Sequence, residues 1–200
     1  MNKTIDYYNS NANSFSNDTA EFDFTEIQDK FLGYLENGSL ILDFGCGVGR
    51  DSKYFLSKGY TVDAIDGSEE LCKIAAANAG IPVRQMYFSD FDEEEKYDGI
   101  WACASLLHLT EDELPDVMQR ILKALKKDGI FYASFKYGNF QGERNGRFFT
   151  DMTEERLTAI LKETGEEQFQ ILELWLSNDV RPGREDEKWI NVIVQKTREK

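Results

Sequence analysis

The sequence has few of the residues that build metal sites and disulfide frameworks. It holds three cysteines and one histidine in 200 residues. Cys46, Cys72 and Cys103 are odd in number and lack C-x-x-C spacing, which argues against a disulfide scaffold or a zinc site and is typical of a reducing compartment. Because His108 is the single histidine, a histidine-rich metal centre is excluded, and we predict no metal.

Long hydrophobic runs are also absent. The longest, IWACASLL at 100–107, is far shorter than the ~18 apolar residues of a membrane-spanning helix. The first residues, MNKTIDYYNSNANSF, contain no hydrophobic signal core. We therefore expect a cytoplasmic protein with no membrane partner.

Basic residues are outnumbered. The chain has 23 Lys and Arg against 37 Asp and Glu, a net charge of −14. Such a charge repels phosphate backbones, which disfavours a nucleic-acid partner and favours a small molecule. The length suits one domain over 1–200, and the 41% apolar content is enough for its core. A monomer and a homodimer both remain open.

Strand and helix patterns alternate along most of the chain. Short apolar runs predict buried strands at 40–44, 60–66, 82–88, 98–104 and 129–135. Helix patterns separate them, which predicts an α/β, doubly wound, mostly parallel sheet. Two last strands, 169–177 and 188–196, have no helix between them and predict a C-terminal antiparallel hairpin. The sum is a seven-stranded, Rossmann-like sheet.

Three patterns predict helix N-termini. Thr25-x-x-Gln28 and Thr110-x-x-Glu113 have the spacing of a capping box. Ser68 is a predicted N-cap, because two acidic residues follow it where the helix dipole favours them.

Two segments fall outside this alternation. Residues 1–20 are polar and predict a mobile arm, either a frayed terminus or a lid that closes over the site through Tyr7 and Tyr8. The stretch 135–149 is rich in glycine and asparagine and predicts an ordered loop without a strand.

The sharpest motif is LILDFGCGVGR at 40–50, a buried strand followed by glycines at alternate positions. Glycines there let backbone amides approach a ligand closely. Asp66 follows 21 residues after Gly45, where an acid can accept ribose hydroxyls. A dinucleotide fingerprint has its third glycine at position 50, and Arg50 stands there instead. Asp43, two residues before the first glycine, suits a cationic ligand better than a pyrophosphate.

Five segments occur in the order and spacing of a known enzyme family. They are DFGCGVG (43–49), AIDGS (64–68), SDF (89–91), DGIWACASLLH (98–108) and LKKDGIFYASFK (125–136). Through them, residues 40–136 resemble the class I S-adenosylmethionine-dependent methyltransferases. GCGVGRD and LLHL resemble, more narrowly, the small bacterial tellurite-resistance-type methyltransferases. The resemblance implies S-adenosylmethionine as cofactor, a binding core at 40–136 and an acceptor side at 137–200.

The resemblance also implies roles for individual residues. The glycine loop would hold the methionine part and ribose of the cofactor, Asp66 the ribose hydroxyls, and Asp43 would lie near the ammonium or sulfonium. Asp90 and Phe91 would face the adenine. The implied cofactor-binding set is Tyr8, Asp43, Gly45, Cys46, Gly47, Gly49, Arg50, Asp66, Gly67, Ser68, Asp90, Phe91, Ala102 and Cys103.

Three members of this set have more specific expected roles. The carbonyls of Ala102 and Cys103 are expected to meet the cofactor ammonium. Arg50 either pairs with the cofactor carboxylate or is a solvated residue at a helix start. The Cys103 thiol is expected to be an inert residue at the edge of the core.

Two residues are candidates for acid–base chemistry. His108 follows the fourth predicted strand, at the sheet edge where ligands bind in such folds. It acts as a base, or it packs under the cofactor or caps the SLLHL turn. Tyr137, which follows the fifth strand, is the second catalytic candidate.

Basic side chains gather in two segments of the acceptor side. Lys136, Arg144 and Arg147 lie in 135–149, and Arg181 and Arg184 lie in the loop of the last hairpin. We expect Lys136, Arg147 and Arg181 to bind an anionic acceptor, since a guanidinium grips a carboxylate with two hydrogen bonds. The alternative is surface arginines that pair with nearby acids.

The sequence therefore predicts an enzyme that transfers a methyl group by in-line displacement to a small acceptor, with an anionic molecule as one candidate. The acceptor atom stays open among oxygen, nitrogen, sulfur and a metalloid. The alternatives are a protein or RNA methyltransferase, a non-catalytic S-adenosylmethionine-binding module, and a nicotinamide-dependent oxidoreductase, which Arg50 disfavours.

Overall fold

The computed structural model describes residues 3–19, 22–165, 168–181, 183–184 and 186–197. Its strands are β1 (Leu40–Phe44), β2 (Thr61–Asp66), β3 (Arg84–Gln85), β4 (Tyr97–Ala102), β5 (Leu125–Lys136), β6 (Gln141–Arg144), β7 (Arg147–Thr150), β8 (Phe169–Asn178) and β9 (Lys188–Lys196). Its helices are α1 (Lys3–Thr19), α2 (Thr25–Leu32), α3 (Arg50–Ser57), α4 (Glu69–Ala79), α5 (Leu114–Ala124) and α6 (Glu154–Gly165).

Seven strands form one sheet in the order β3-β2-β1-β4-β5-β9-β8. β1 to β5 run parallel, and β9 pairs antiparallel with both β5 and β8. The α/β, mostly parallel, seven-stranded sheet with a C-terminal antiparallel hairpin is thus confirmed. Chain order reverses between β1 and β4, so a crevice opens at their carboxyl ends, which is where such sheets bind ligands.

The two faces of the sheet carry separate hydrophobic clusters. Leu42 and Phe44 of β1 pack toward α5 and α6, while Ile41, one residue before Leu42, packs toward α2 and α3. This alternation follows from the period of two along a strand. Trp101 and Phe44 are fully buried and belong to the core.

The helices begin close to the predicted N-termini, but not all of the predicted capping hydrogen bonds are present. The Ser68 hydroxyl accepts from the Leu71 amide and caps α4 as predicted. The Thr110 amide donates to the Glu113 carboxylate, as in a capping box, although α5 begins only at Leu114. The capping box at the start of α2 is wrong, because Asp23 accepts from the Thr25 amide and hydroxyl and Gln28 bonds elsewhere.

Two other predictions need correction. The strand expected over 82–88 is only two residues long, because the chain enters a 3₁₀ turn at 88–90. The loop expected over 135–149 contains the antiparallel pair β6–β7. Asn145 and Gly146 have φ values of 49° and 79°, the left-handed conformations that a two-residue hairpin turn requires.

Residues 3–19 of the expected mobile arm form helix α1, which is kinked at Asn11. Ala12 is buried and packs with Val48 and Leu71. Ile5, Tyr8, Ala12 and Phe15 follow one another at helical spacing, a stripe that predicts an amphipathic helix. Whether α1 moves as a lid stays a prediction. In the described part of the chain, no helix has the length and apolar character that a membrane crossing requires.

The close approach of the glycine loop to α4 gives the first testable prediction. At Gly49 (φ 79°) an added Cβ would lie 2.9 Å from the Ala75 carbonyl oxygen, while at Gly80 (φ 73°) nothing lies within 4 Å. We expect Gly80→Ala to lower the free energy of unfolding by about 1–2 kcal/mol through backbone strain alone. Gly49→Ala should cost about 1–3 kcal/mol more, since the loop must move away from α4.

Urea unfolding of the two variants measures this difference. Equal losses of stability would mean that the loop is not wedged against α4.

Candidate active site

A cavity of about 810 Å³ lies at the carboxyl ends of β1, β2 and β4. Its size is in the range of small-molecule and cofactor sites, roughly 300–1,000 Å³. The glycine loop and the end of β2 form one side, and β7, β9 and the 3₁₀ turn at 106–108 form the other. Helix α1 contributes Thr4, Ile5, Tyr8 and Phe15 to the lining.

The glycine loop is fixed to the end of β2. The amides of Gly45 and Cys46 both donate to the Ile65 carbonyl, at 3.0 and 2.9 Å. The Gly47 amide donates to Asp66 Oδ2 at 2.9 Å, and the Ser68 amide donates to Asp66 Oδ1 at 2.8 Å. Asp66 is therefore held at the cavity wall, where its burial raises the pKa of the carboxyl to about 6.

Asp43 lies behind the loop and does not line the cavity, contrary to the expected contact with a cofactor ammonium or sulfonium. Its carboxylate accepts from the amide and the hydroxyl of Ser52, at 3.1 and 2.6 Å. Burial and the neighbouring Asp51 carboxylate raise its pKa. The side chain thus joins β1 to the first turn of α3, and sequence alone does not distinguish this role from ligand binding.

Arg50 lies at the cavity wall, although it is neither solvated nor free. Its guanidinium makes two hydrogen bonds to Asp51, at 2.8 and 2.9 Å, and stacks 3.7 Å from the centre of the Phe24 ring. Asp51 also accepts from Gln28 and from the Trp101 indole. Burial opposes ionisation of Asp51, but Arg50 and the hydrogen bonds from Trp101 and Gln28 together lower its pKa.

The segment expected to face an adenine is shifted by two or three residues. Asp90 is exposed and Phe91 is fully buried, so neither lines the cavity. Both predictions are corrected, because the chain at the 3₁₀ turn 88–90 brings the first two residues of the turn and the two residues before it to the cavity instead. The residues there are Met86, Tyr87, Phe88 and Ser89. Phe88 stacks on Phe44, with ring centres 4.4 Å apart.

The end of β4 divides between core and cavity. Ala102 is fully buried and outside the cavity lining, whereas Cys103 lines it. Burial raises the pKa of the Cys103 thiol to about 12, so the thiol is protonated at neutral pH. Ser105 donates to the Phe44 carbonyl at 2.6 Å, which ties the ends of β1 and β4 together.

His108 lies inside the cavity and both ring nitrogens are engaged. Nδ1 lies 2.7 Å from the Phe148 carbonyl oxygen, and Nε2 lies 2.8 Å from the Tyr8 hydroxyl. Burial lowers the pKa of the imidazole to about 4. Tyr8, which the family resemblance implies as a cofactor contact, thus contacts His108, the candidate base.

The basic residues of the acceptor side differ in their partners. Lys136 and Arg181 both line the cavity. The charge of Lys136 is neutralised by Glu187, and that of Arg181 by Asp179. Arg147 also lines the cavity, and among the described residues no carboxylate lies within 4.0 Å of it.

The Arg147 guanidinium is held by aromatic rings and one weak hydrogen bond. It lies 4.7 Å from the Tyr7 ring centre and 5.1 Å from that of Phe149. Nη1 donates to the Tyr8 hydroxyl at 3.3 Å, and Nε is buried without a hydrogen-bond partner. Arg144, in the same hairpin, is instead paired with Asp151.

Tyr137 does not reach the cavity, which corrects its prediction as a catalytic residue. Its side chain is 39% exposed, and the charge of Glu154 raises the pKa of its hydroxyl. Residue 137 follows β5 beyond the last pair with β9, so the backbone carries the ring to the outer surface.

Most of the remaining predicted cofactor residues line the cavity, together with residues that the sequence analysis did not predict. Gly45, Cys46, Gly47 and Gly67 line it, while Gly49 and Ser68 lie just behind. Sequence reasoning missed Ile5 and Phe15 of α1, which the helical stripe of that segment indicates. It also missed Phe88 and Ser105, for which the sequence carries no local signal.

Comparison with known proteins finds similarity to methyltransferases. A family model described as a methyltransferase domain matches residues 41–129. N-terminal Xaa-Pro-Lys N-methyltransferase 1 of Danio rerio is 33% identical over 112 residues, 50% of each chain. Ubiquinone biosynthesis O-methyltransferase of Actinobacillus pleuropneumoniae is 33% identical over 119 residues, 54% of this chain and 49% of that one. The chain thus matches about half the length of these relatives.

A solved structure shares the fold over nearly the whole chain. It is 1,6-didemethyltoxoflavin-N1-methyltransferase of Burkholderia thailandensis, with bound 1,6-didemethyltoxoflavin and S-adenosylhomocysteine. The TM-score is 0.76 at 22% identity, covering 97% of this chain and 85% of that one.

The buried Asp51 carboxylate gives a prediction for the wall of the cavity. Asp51→Asn leaves Arg50 without its counter-charge, and we expect a loss of about 3–5 kcal/mol in the free energy of unfolding. Asp116→Asn is the matched control, because Asp116 is 64% exposed and pairs with Arg120 at the surface. Urea unfolding should show little change for the control. Equal effects of the two variants would contradict the role assigned to Asp51.

Proposed function

We propose that this protein, which contains a class I S-adenosylmethionine-dependent methyltransferase domain, methylates a small acceptor that carries an anionic group. The observation that carries the proposal is Arg147, a cation in the cavity wall whose charge no described carboxylate neutralises. An anionic acceptor supplies the missing partner.

The residues at the glycine loop fit S-adenosylmethionine. At Gly47 an added Cβ would meet nothing closer than Phe15, at 3.6 Å, so the loop is open toward the cavity. Asp66 presents a buried carboxylate at the end of β2, where it can accept the ribose hydroxyls. When bound, the cofactor supplies a methyl carbon on a positively charged sulfur, which leaves as a neutral thioether.

The cavity favours a small acceptor over a protein or an RNA. Helix α1 closes over it and is joined to β7, because the Phe148 amide donates to the Thr4 hydroxyl at 3.0 Å. Asn9 Oδ1 accepts from the Ser68 hydroxyl at 2.7 Å on the cofactor side. The net charge of −14 further opposes RNA.

The chain contributes mainly by positioning. In-line displacement requires the acceptor atom, the methyl carbon and the sulfur to lie on one line, and holding them there supplies much of the rate acceleration. In this proposal, residues 40–136 hold the cofactor, and Arg147 holds the acceptor opposite it, beside His108. His108 is the proposed base.

Several finer predictions from the sequence stay within this proposal. They are the resemblance to tellurite-resistance-type methyltransferases, the cytoplasmic location, the absence of a nucleic-acid partner, and a monomeric or homodimeric state. A screen of small carboxylates and phosphates for transfer of a labelled methyl group tests the activity itself. Tight binding of S-adenosylhomocysteine with no turnover in that screen would favour a non-catalytic binding module.

Arg147 provides the sharpest test of the acceptor class. Arg147→Ala should raise the acceptor KM about 10- to 100-fold, the loss of a hydrogen bond to a charged group. The affinity for S-adenosylhomocysteine should not change. Arg144→Ala is the control in the same hairpin, since Arg144 is neutralised by Asp151 and lies outside the cavity lining. An unchanged KM for Arg147→Ala would rule out the anion site.

Asp66 predicts how cofactor affinity depends on pH. The ionised carboxylate accepts hydroxyl hydrogen bonds more strongly than the protonated form, and its pKa is raised to about 6 by burial. The affinity for S-adenosylhomocysteine should be constant above about pH 7 and fall up to tenfold per unit below pH 6. Asp66→Asn should bind more weakly and without that dependence. Calorimetric titration measures both, and a flat profile in the unmodified protein would contradict the contact.

A further inference from the structure

The hydrogen bonds of His108 fix which nitrogen carries its proton. The Phe148 carbonyl oxygen can only accept, so Nδ1, 2.7 Å away, is the protonated nitrogen of the neutral ring. Nε2 then has only its lone pair, and the Tyr8 hydroxyl, 2.8 Å away, donates to it. The basic site of the imidazole is therefore covered by Tyr8.

The group that faces an acceptor is consequently the Tyr8 oxygen. A phenolic oxygen has one hydrogen to donate and two lone pairs to accept with. The hydrogen goes to His108, and Arg147 Nη1 donates to one lone pair at 3.3 Å. The second lone pair is available to a hydrogen carried by the acceptor.

We propose that Tyr8 and His108 form a proton relay and that the methylated atom is a neutral hydroxyl oxygen or N–H nitrogen. This inference rests on the methyl transfer proposed above and names the kind of atom that receives the methyl group. Tyr8 is the catalytic residue of the pair. His108 acts through Tyr8, which it orients and from which it takes the proton.

The step balances in atoms and charge. The bond from the acceptor oxygen or nitrogen to the methyl carbon forms as the carbon–sulfur bond breaks. The acceptor proton passes to Tyr8 Oη while the Tyr8 proton passes to His108 Nε2. The positive charge lost at sulfur is thus replaced by a positive charge on the imidazole.

The charges around the relay connect it to the anionic acceptor. Tyr8 faces three charged groups. They are Arg147, Asp66, and Arg181 with its partner Asp179. Burial and then Arg147 hold the pKa of His108 down, to about 4. An anion bound at Arg147 offsets that charge and makes the imidazole a better base at the moment when the acceptor is in place.

A weak base is sufficient for this type of acceptor. The proton on a neutral oxygen or nitrogen becomes strongly acidic as the new bond to carbon forms, so it needs a receiver only during attack. A thiolate or a selenide has no such proton to lose. The relay is therefore of use to a hydroxyl or N–H acceptor and idle for a sulfur or metalloid acceptor.

The single histidine makes the relay directly observable. Nitrogen NMR of the ¹⁵N-labelled protein should show the Nδ1-protonated tautomer at pH 7, with no titration between pH 5 and 8. Tyr8→Phe should shift the Nε2 resonance, because its hydrogen bond is lost. Tyr34→Phe is the control, since Tyr34 is at the surface and donates to Glu173. An Nε2-protonated tautomer, or a signal unaffected by Tyr8→Phe, would overturn the relay.

Turnover separates the relay from a structural role. The probes are 4-hydroxybenzoate, 4-aminobenzoate and 4-mercaptobenzoate, which share a carboxylate and differ in the acceptor atom. Tyr8→Phe should lower kcat for the oxygen or nitrogen probe about 10²- to 10⁴-fold, and it should lower any sulfur methylation far less. The Tyr8→Phe, His108→Gln double variant should lose no more than either single variant.

The outcomes distinguish the two proposals. Failure to bind S-adenosylhomocysteine would defeat the proposed function itself. Binding with the expected tautomer upholds the relay geometry, and equal losses for oxygen and sulfur probes in Tyr8→Phe would defeat the relay while leaving methyl transfer intact.

Discussion

The buried carboxylate of Asp51 is the contact on which the cavity wall depends. Its two oxygens accept from Gln28 of α2, from Arg50 at the start of α3 and from the Trp101 indole of β4. A buried ion is tolerated only where its hydrogen bonds are complete, so these three elements are held in one arrangement. Because α3 begins where the glycine loop ends, that arrangement also fixes the loop toward the cavity.

The sheet was predictable from the sequence, and the reasons are physical. Parallel strands buried on both faces read as continuous apolar runs, as in LILDF, and glycines mark where they end. The acid at the end of β2 was predictable for the same reason, because Asp66 directly follows such a run. The bounds of β3 were harder to predict, because only two residues of its apolar segment pair with β2 before the chain enters the 3₁₀ turn at 88–90.

The positions within the cavity were harder to predict. Asp43 and Asp66 have the same chemistry and both end a strand, yet one bonds to Ser52 behind the loop and the other faces the cavity. Only the direction of the backbone after the strand separates them. Tyr137 and Tyr8 show the same limit, since the tyrosine that meets His108 comes from a segment 100 residues away. Contacts between residues so far apart in sequence depend on tertiary packing, which the local sequence pattern does not reveal.

Arg147 has a consequence for the stability of the fold. A cation enclosed by Tyr7 and Phe149, with its Nε unbonded, has lost water without gaining a full set of partners. The fold therefore carries a cost, and under the proposed function a negatively charged acceptor would remove it and become part of what holds α1 and the β6–β7 hairpin together. Recognition and folding stability are then coupled through one side chain, and molecules that suit the cavity should protect the protein against heat before any reaction occurs.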